Sequence, residues 1–337
     1  MRILITGGAG FMGANMIPYL LRTYKDIEIV NFDALTYAGN LESLAGVADD
    51  PRYRFVKGDI ADARQVDAVM KGVDLVINYA AETHVDRSII DARAFIETNV
   101  NGVYNLLEAV RQQGTPRFVH ISTDEVFGAV LEGESDEESK FEPRSPYAAS
   151  KAAGDHLCHA YAVTYGVPVI VTHSVNYYGP YQFPEKLIPL FTMNLLEGKK
   201  VPVYGDGLQV REWIFTEDHC RAIDLIVQKG LVGEVYNIGT GYRVPNLEIT
   251  KKLIALTGRD DSAIEYVADR PGHDRRYALN STKLRTQLGW EPQMSFDEGL
   301  GLTVEWYKAH RTWVDRCRTG EYKDYYQKQY GERLKTV

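Results

Sequence analysis

Three short stretches of this chain carry side chains able to move protons and electrons. Ser122-Thr123-Asp124-Glu125 closes an apolar run, Tyr147 and Lys151 follow with three residues between them, and Gly7-Gly8-Ala9-Gly10-Phe11-Met12-Gly13 comes directly after the first apolar run. Tyr147 and Lys151 are one helical turn apart, so a helix places both on the same face. A free phenol titrates near about pH 10 and is a poor base at neutral pH. An ammonium beside it, together with a nicotinamide cation, favours the phenolate, and Tyr147 then takes a hydroxyl proton as a hydride leaves the carbon. The adjacent carboxyl groups of Asp124 and Glu125 suit opposite tasks, one removing a proton and the other giving one, if their surroundings push their pKa values apart. The combined chemistry is oxidation of a substrate followed by loss of water from it.

The glycine stretch has the spacing G-x-x-G-x-x-G, one residue away from the commoner G-x-G-x-x-G form. Its glycines permit a tight turn and a close approach of backbone to a pyrophosphate, whose charge a helix N-terminus favours. Asp33 lies 20 residues beyond Gly13 at the end of a second apolar run, where a carboxylate accepts both hydroxyls of an adenosine ribose. Ala34, Leu35 and Thr36 follow, with no Arg or Lys to meet a 2′-phosphate. The expected cofactor is therefore NAD and not NADP. Candidate cofactor residues are Gly7, Gly10, Phe11, Met12, Gly13, Asp33, Ala34, Leu35 and Thr36. Asp59 and Ile60 after a third run, and Ala80 and Ala81 after a fourth, join them by position, and Tyr147 and Lys151 join them by chemistry.

These groups need a scaffold that brings several strand ends together. Residues 2–6, 27–33, 53–57, 75–78, 117–122 and 168–173 read as strands, with helical segments such as 103–112 and 147–165 between them. Strands without strict alternation, joined by helices, specify an α/β fold of the Rossmann type, a doubly wound parallel sheet covered on both faces. Beyond about residue 176 the texture turns to Pro, Gly and aromatic residues, as in Gly179-Pro180-Tyr181-Gln182-Phe183-Pro184. A smaller, loop-rich substrate domain is expected over 176–337, after an NAD-binding domain over 1–175, with residues near 210–240 returning to the first domain. The acidic run from Glu132 to Glu142 reads as a solvated loop.

A chain of 337 residues with 45% hydrophobic and 25% charged content is globular, and its formal charge of −8 excludes a general binder of nucleic acid or anionic membrane. Met1-Arg2 runs into an apolar stretch too short for a signal peptide, and no later stretch approaches the ~20 apolar residues of a membrane span. A cytoplasmic protein is expected. Cys158, Cys220 and Cys317 are widely spaced and odd in number, which points to plain thiols and to no disulfide framework or metal site.

The whole set resembles the extended short-chain dehydrogenase/reductase family, and within it the 4,6-dehydratases of nucleotide-linked glucose. The likeness runs through the glycine loop, Thr36 to Leu41, Ala80 to Ser88, Ser122 to Glu125, Tyr147 to Lys151, Tyr178 to Pro189 and Asp269 to Asp274. It implies oxidation at C4 of the hexose, loss of water across C5 and C6, and return of the same hydride to C6. Glu125 is then the base at C5, Asp124 the acid at C6, and Thr123 a partner of the C4 oxygen. The resemblance also implies a diphosphate held by Arg211, with Asn176, Asn246 and His273 nearby, and a base held by Lys186, Leu187, Pro202 and Tyr204. Thr83 and Thr98 become neighbours of sugar or cofactor, dTDP-glucose the expected substrate, and a homodimer the expected assembly. UDP-glucose stays open as the alternative, and so does a related epimerase or decarboxylase, although an epimerase has no use for the carboxyl pair. The chain departs from the family pattern at His173-Ser174, where Arg-Cys is usual, at Tyr177, where an amide is usual, and at Phe127, where Tyr is usual.

Overall fold

The computed structural model describes residues 1–318. The expected second domain therefore has a stretch, 319–337, that lies outside the described residues. Six strands fall within a residue of the expected spans: β1 (Arg2–Thr6), β2 (Glu28–Asp33), β3 (Tyr53–Lys57), β4 (Leu75–Asn78), β5 (Phe118–Thr123) and β6 (Val169–Ser174). The C-terminal half adds β7 (Asn176–Tyr178), β8 (Val201–Tyr204), β9 (Val210–Phe215), β10 (Val235–Ile238), β11 (Arg243–Pro245) and β12 (Ile264–Val267).

The main sheet is parallel throughout, in the order β10-β6-β5-β4-β1-β2-β3. Its apolar runs do alternate, but between two cores. Ile3, Ile5, Ile29, Ile77, Val119, Ile121 and Ile170 pack on one face, and Leu4, Val30, Val76, Phe118, Val169 and Val171 pack on the other. Both faces are dry, so both sets are apolar and the period of two disappears from the hydropathy pattern. The order reverses between β1 and β4, which opens a crevice at the carboxyl ends of these strands.

The helix Pro146–Tyr165 starts where Ser145 Oγ accepts from the Ala148 N–H at 3.1 Å, with Pro146 in the first turn. It lies beside β5 and β6 and therefore holds Tyr147 and Lys151 near the crevice.

The second unit has its own core, including Ile188, Phe191, Trp213, Ile249, Leu253, Phe296 and Leu300. It is built on the small sheet β11-β9-β7 and the pair β12-β8. The return to the main sheet begins at Thr216 and not at residue 210, because β9 belongs to the small sheet. Helix Thr216–Lys229 buries Cys220, Ile223 and Ile226 in the first core, and β10 pairs with β6. Leu279, Leu284 and Trp290 come back to that core too, a second return with no counterpart in the expected division. The acidic loop is mostly exposed, but Ser135 is buried and bridges to Leu279, Glu137 accepts from the Asn237 N–H at 2.9 Å, and Glu134 pairs with Arg243 at 2.7 Å. Three of its residues are thus structural anchors. Among the described residues, no helix is long and apolar enough to cross a membrane.

Candidate active site

One cavity of about 420 Å³ runs along the carboxyl ends of β1, β2, β4, β5 and β6 and into the second unit. At one end Gly7, Gly10, Phe11, Met12, Asp33, Ala34, Thr36, Asp59, Ile60, Ala80, Ala81 and Thr98 line it. Two glycines here are required by space. A Cβ on Gly7, whose φ is +65°, would sit 2.6 Å from the Ala80 nitrogen, and one on Gly13 would sit 2.4 Å from the Gly8 Cα. Gly13 is therefore a packing residue of the loop and does not reach the cavity wall. Asp33 is 8% exposed; its Oδ2 accepts from the Ala9 N–H at 2.9 Å and its Oδ1 from the Leu35 N–H at 2.7 Å. Leu35 takes a φ of +53° at this turn and is likewise absent from the wall. Each Asp33 oxygen keeps a further lone pair for a ribose hydroxyl. The backbone cradle, the helix N-terminus at Phe11 and this carboxylate fit the adenosine and pyrophosphate of NAD.

The reacting groups meet in the middle. Thr123, Glu125, Tyr147 and Lys151 border the cavity, whereas Asp124 sits one layer behind, 3% exposed, with its Oδ1 3.4 Å from Thr123 Oγ1. Among the described residues, Asp124 Oδ2 has no hydrogen-bond partner. Burial, then the charges of Glu125 and Glu212, push the Asp124 pKa well above the ordinary carboxylate value, which favours its protonated form. Burial also raises Glu125, but Arg270, Arg211 and Lys186 oppose the shift. Both carboxyls are thus shifted upward, but cations oppose the shift at Glu125 through three side chains and at Asp124 through Arg211 alone, an asymmetry of the kind that opposite tasks need. Lys151 does not draw the Tyr147 pKa down as expected. Its Nζ donates to the Ile121 carbonyl at 2.7 Å, while burial and then Glu125 push Tyr147 well above its ordinary value, against a hydrogen bond with Thr123.

Thr83, Asn176, Lys186, Leu187, Pro202, Tyr204, Arg211, Asn246 and His273 all line the far end. Arg211 is 4% exposed, donates to the carbonyls of Val210 and Asp274 at 2.8 and 2.9 Å, and stands 4.2 Å from the Tyr277 ring centroid. Its partners are neutral, so its charge is free to meet an anion. Lys186 donates to the Thr83 carbonyl at 2.9 Å. Burial, then Arg270 and Arg211, push His273 down to about 4, and it is neutral near pH 7.

Several residues on or beside this wall carried no role in the sequence reading. Arg270 pairs with Asp86 at 3.0 Å, Tyr204 donates to Asp86 at 3.1 Å, Arg87 pairs with Glu185 at 3.0 Å, and Arg87 also lies 3.8 Å from the Tyr37 ring centroid. Asp86, Arg87, Glu185 and Arg270 sit inside the stretches that carry the resemblance, and their opposite charges are the signal that could have paired them. Tyr277, whose hydroxyl is 2.8 Å from Asp274 Oδ2 and 3.4 Å from Glu125 Oε2, has no such signal. The departures from the family pattern all make contacts: the Tyr177 hydroxyl lies 3.3 Å from His219 Nε2, His173 Nε2 lies 3.2 Å from Asp155, and the Phe127 ring lies 4.9 Å from that of His173, centroid to centroid.

A parallel sheet with a glycine cradle, a Tyr-Lys helix and a carboxyl pair defines a nucleotide-sugar enzyme of the short-chain dehydrogenase/reductase class. The family described as GDP-mannose 4,6 dehydratase matches residues 4–303, and the chain belongs to it. The dTDP-glucose 4,6-dehydratase of Streptomyces niveus is 50% identical over 323 residues, which cover 95% of this chain and 96% of the relative. The low-salt glycan biosynthesis protein Agl12 of Haloferax volcanii is 48% identical over 307 residues, 91% of this chain and 98% of that protein. A crystal structure of dTDP-glucose 4,6-dehydratase from Streptomyces venezuelae, with NAD and dTDP bound, aligns with a TM-score of 0.93 at 50% identity over 94% of this chain and 100% of that one. A UDP-glucose 4-epimerase from Thermotoga maritima aligns at 0.85 with 31% identity, over 92% of this chain and 99% of that one.

Proposed function

We propose that the protein is a dTDP-glucose 4,6-dehydratase that converts dTDP-glucose to dTDP-4-keto-6-deoxyglucose. The observation that carries this reading is that Glu125, Tyr147, Lys151, Asp33 and Arg211 border a single cavity, with the buried carboxyl of Asp124 beside Thr123. Arg211 holds the diphosphate, with Asn176, Asn246 and His273, and Lys186, Leu187, Pro202 and Tyr204 hold the base. Bound NAD supplies a two-electron acceptor at C4 that is restored within each cycle, and a positive nicotinamide ring that favours the Tyr147 phenolate.

Tyr147 takes the C4 hydroxyl proton as C4 becomes a ketone, with Thr123 holding the C4 oxygen. The ketone acidifies the C5 proton, which Glu125 removes. Asp124 gives its proton to the C6 hydroxyl, which leaves as water. Hydrogen bonds that are long in the free enzyme, such as Thr123 to Asp124, tighten when substrate fills the cavity. A 4-epimerase makes no use of the last two steps, and the adjacent carboxyls of Asp124 and Glu125 at the cavity favour the dehydratase.

The same reading places the enzyme in the cytoplasm as a homodimer. Its three cysteines are free thiols, as suits a reducing compartment. Tyr104 on helix Val103–Gln113 and Val163 and Tyr165 on helix Pro146–Tyr165 are 47%, 72% and 56% exposed, an apolar face that a second copy would cover. Light scattering that gives the monomer mass would reject the dimer. The activity is tested by incubating the purified protein with dTDP-glucose and UDP-glucose in parallel. A 4-keto product absorbing in alkali is expected, faster from dTDP-glucose; turnover of neither nucleotide sugar would reject the assignment.

A further inference from the structure

Among the buried carboxylates that the steps above leave unused, Asp155 lies nearest in sequence to the reacting groups. Asp155 lies one turn beyond Lys151 in helix Pro146–Tyr165 and is 4% exposed. Its Oδ2 accepts from Ser122 Oγ at 2.8 Å and lies 3.2 Å from His173 Nε2, and its Oδ1 lies 3.5 Å from His120 Nε2. The line of buried polar groups continues in both directions. His120 Nδ1 is 3.0 Å from Asn78 Nδ2, Thr6 Oγ1 donates to Asn78 Oδ1 at 2.6 Å, and His173 Nδ1 is 3.1 Å from Asn237 Oδ1. It thus crosses β1, β4, β5, β6 and β10, just below the crevice, with Asp155 near its centre.

A carboxylate this deep must be balanced. Among the described residues, no Arg or Lys forms an ion pair with it. Burial pushes His120 down to about 3, so His120 is neutral near pH 7. The ammonium on the same helix, four residues back, is Lys151. Lys151 and Asp155 also fasten the helix to β5 through consecutive residues: Lys151 Nζ donates to the Ile121 carbonyl at 2.7 Å, and Ser122 Oγ donates to Asp155 at 2.8 Å. The next three residues of the chain are Thr123, Asp124 and Glu125. One carboxylate therefore joins the helix bearing Tyr147 and Lys151 to the strand end bearing the acid and base.

We infer that Asp155 is a positioning residue that keeps Lys151 charged and fixes the Tyr147–Lys151 helix in register with Thr123-Asp124-Glu125. The charge balance agrees. Burial pushes the Lys151 pKa down, and the charge of Asp155, followed by that of Cys158, opposes this. Burial pushes Asp155 up, yet the hydrogen bond and charge of His173, then His120 and Lys151, bring it below the ordinary carboxylate value. The titratable groups that face Asp155 are thus His120 on β5, His173 on β6, and Lys151 and Cys158 on its own helix.

The inference rests on the dehydratase reading for its assay, and wild-type turnover measured alongside keeps the two failures apart. Asp155→Asn keeps the shape and an acceptor for Ser122 but removes the charge. Its kcat near neutral pH is expected to fall about tenfold or more with KM within about threefold, and the alkaline limb of its kcat profile to move to lower pH, since Lys151 then loses its proton earlier. Asp155→Glu restores the limb. Ser122→Ala lowers kcat several-fold and leaves the limb in place. Asp155→Asn with wild-type kcat and an unmoved limb would overturn the inference. If that variant does not fold, Ser122→Ala decides: lower kcat at unchanged NAD content supports the positioning role, and wild-type kcat rejects it.

Discussion

The two ends of the cavity solve the same problem, holding a phosphate-bearing molecule, by opposite means. At the cofactor end the wall is backbone and glycine with a single carboxylate, Asp33, itself fixed by the N–H groups of Ala9 and Leu35. At the substrate end the wall carries the long charged side chains of Arg211, Arg270 and Lys186, with Asp86 and Glu185 among them, and Arg87 beside the wall pairs with Glu185. A molecule that stays through many cycles suits a rigid cradle whose geometry costs nothing to reorganise. One that enters and leaves every turnover suits cations held by neutral carbonyls, as Arg211 and Lys186 are, beside cations such as Arg270 and Arg87 that are already paired and can exchange one partner for another. The acid chain also needs this local positive charge, since its formal net charge is −8.

Four changes break or sharpen this contrast, in order of expected effect. Tyr147→Phe removes the base between the two ends, and kcat should fall by about 10³-fold or more with NAD still bound, read by turnover and by cofactor content. Glu125→Gln should cost about 10²–10³-fold and abolish exchange of the C5 proton with solvent while C4 oxidation persists. Because Glu125 must be ionised and its pKa is raised, the acid limb of the wild-type kcat profile should lie above the pH of an ordinary carboxylate and disappear in this variant. Arg211→Met acts on the substrate end alone. It removes charge-assisted bonds worth about 1.5–3 kcal/mol, so KM for dTDP-glucose should rise about 10–100-fold at unchanged NAD content.

Asp124→Asn has the smallest expected effect on the fold and gives a sign test. A carboxyl whose pKa is raised on folding destabilises the native state once pH exceeds the unfolded value, by about 1.4 kcal/mol per unit of displacement. The variant should therefore be more stable than wild type near pH 7 in urea unfolding, and should lose that advantage below about pH 4. Equal stability at both would show that Asp124 is not held neutral by burial.

Much of the cofactor end was legible because its residues are close in sequence: one loop, then Asp33 at a fixed distance, then strand ends that recur after each helix. That spacing assigns Gly13 and Leu35 to the cofactor residues; close backbone packing sets the place of Gly13, and a left-handed turn that of Leu35. The substrate end joins residues as far apart as Asp86 and Arg270, and no periodicity reports a pairing of that span. Helix Pro146–Tyr165 was readable from its Ser-Pro start, but the state of Tyr147 was not, because burial outweighs any charge that sequence spacing can supply. The return of the chain at Leu279 rests on three apolar side chains with no motif around them.

The account turns on one internal transfer. With dTDP-glucose carrying deuterium at C4, it predicts that the label reappears at C6 of the 4-keto-6-deoxy product, without net accumulation of NADH. Label released to solvent, or NADH formed in step with product, would contradict it.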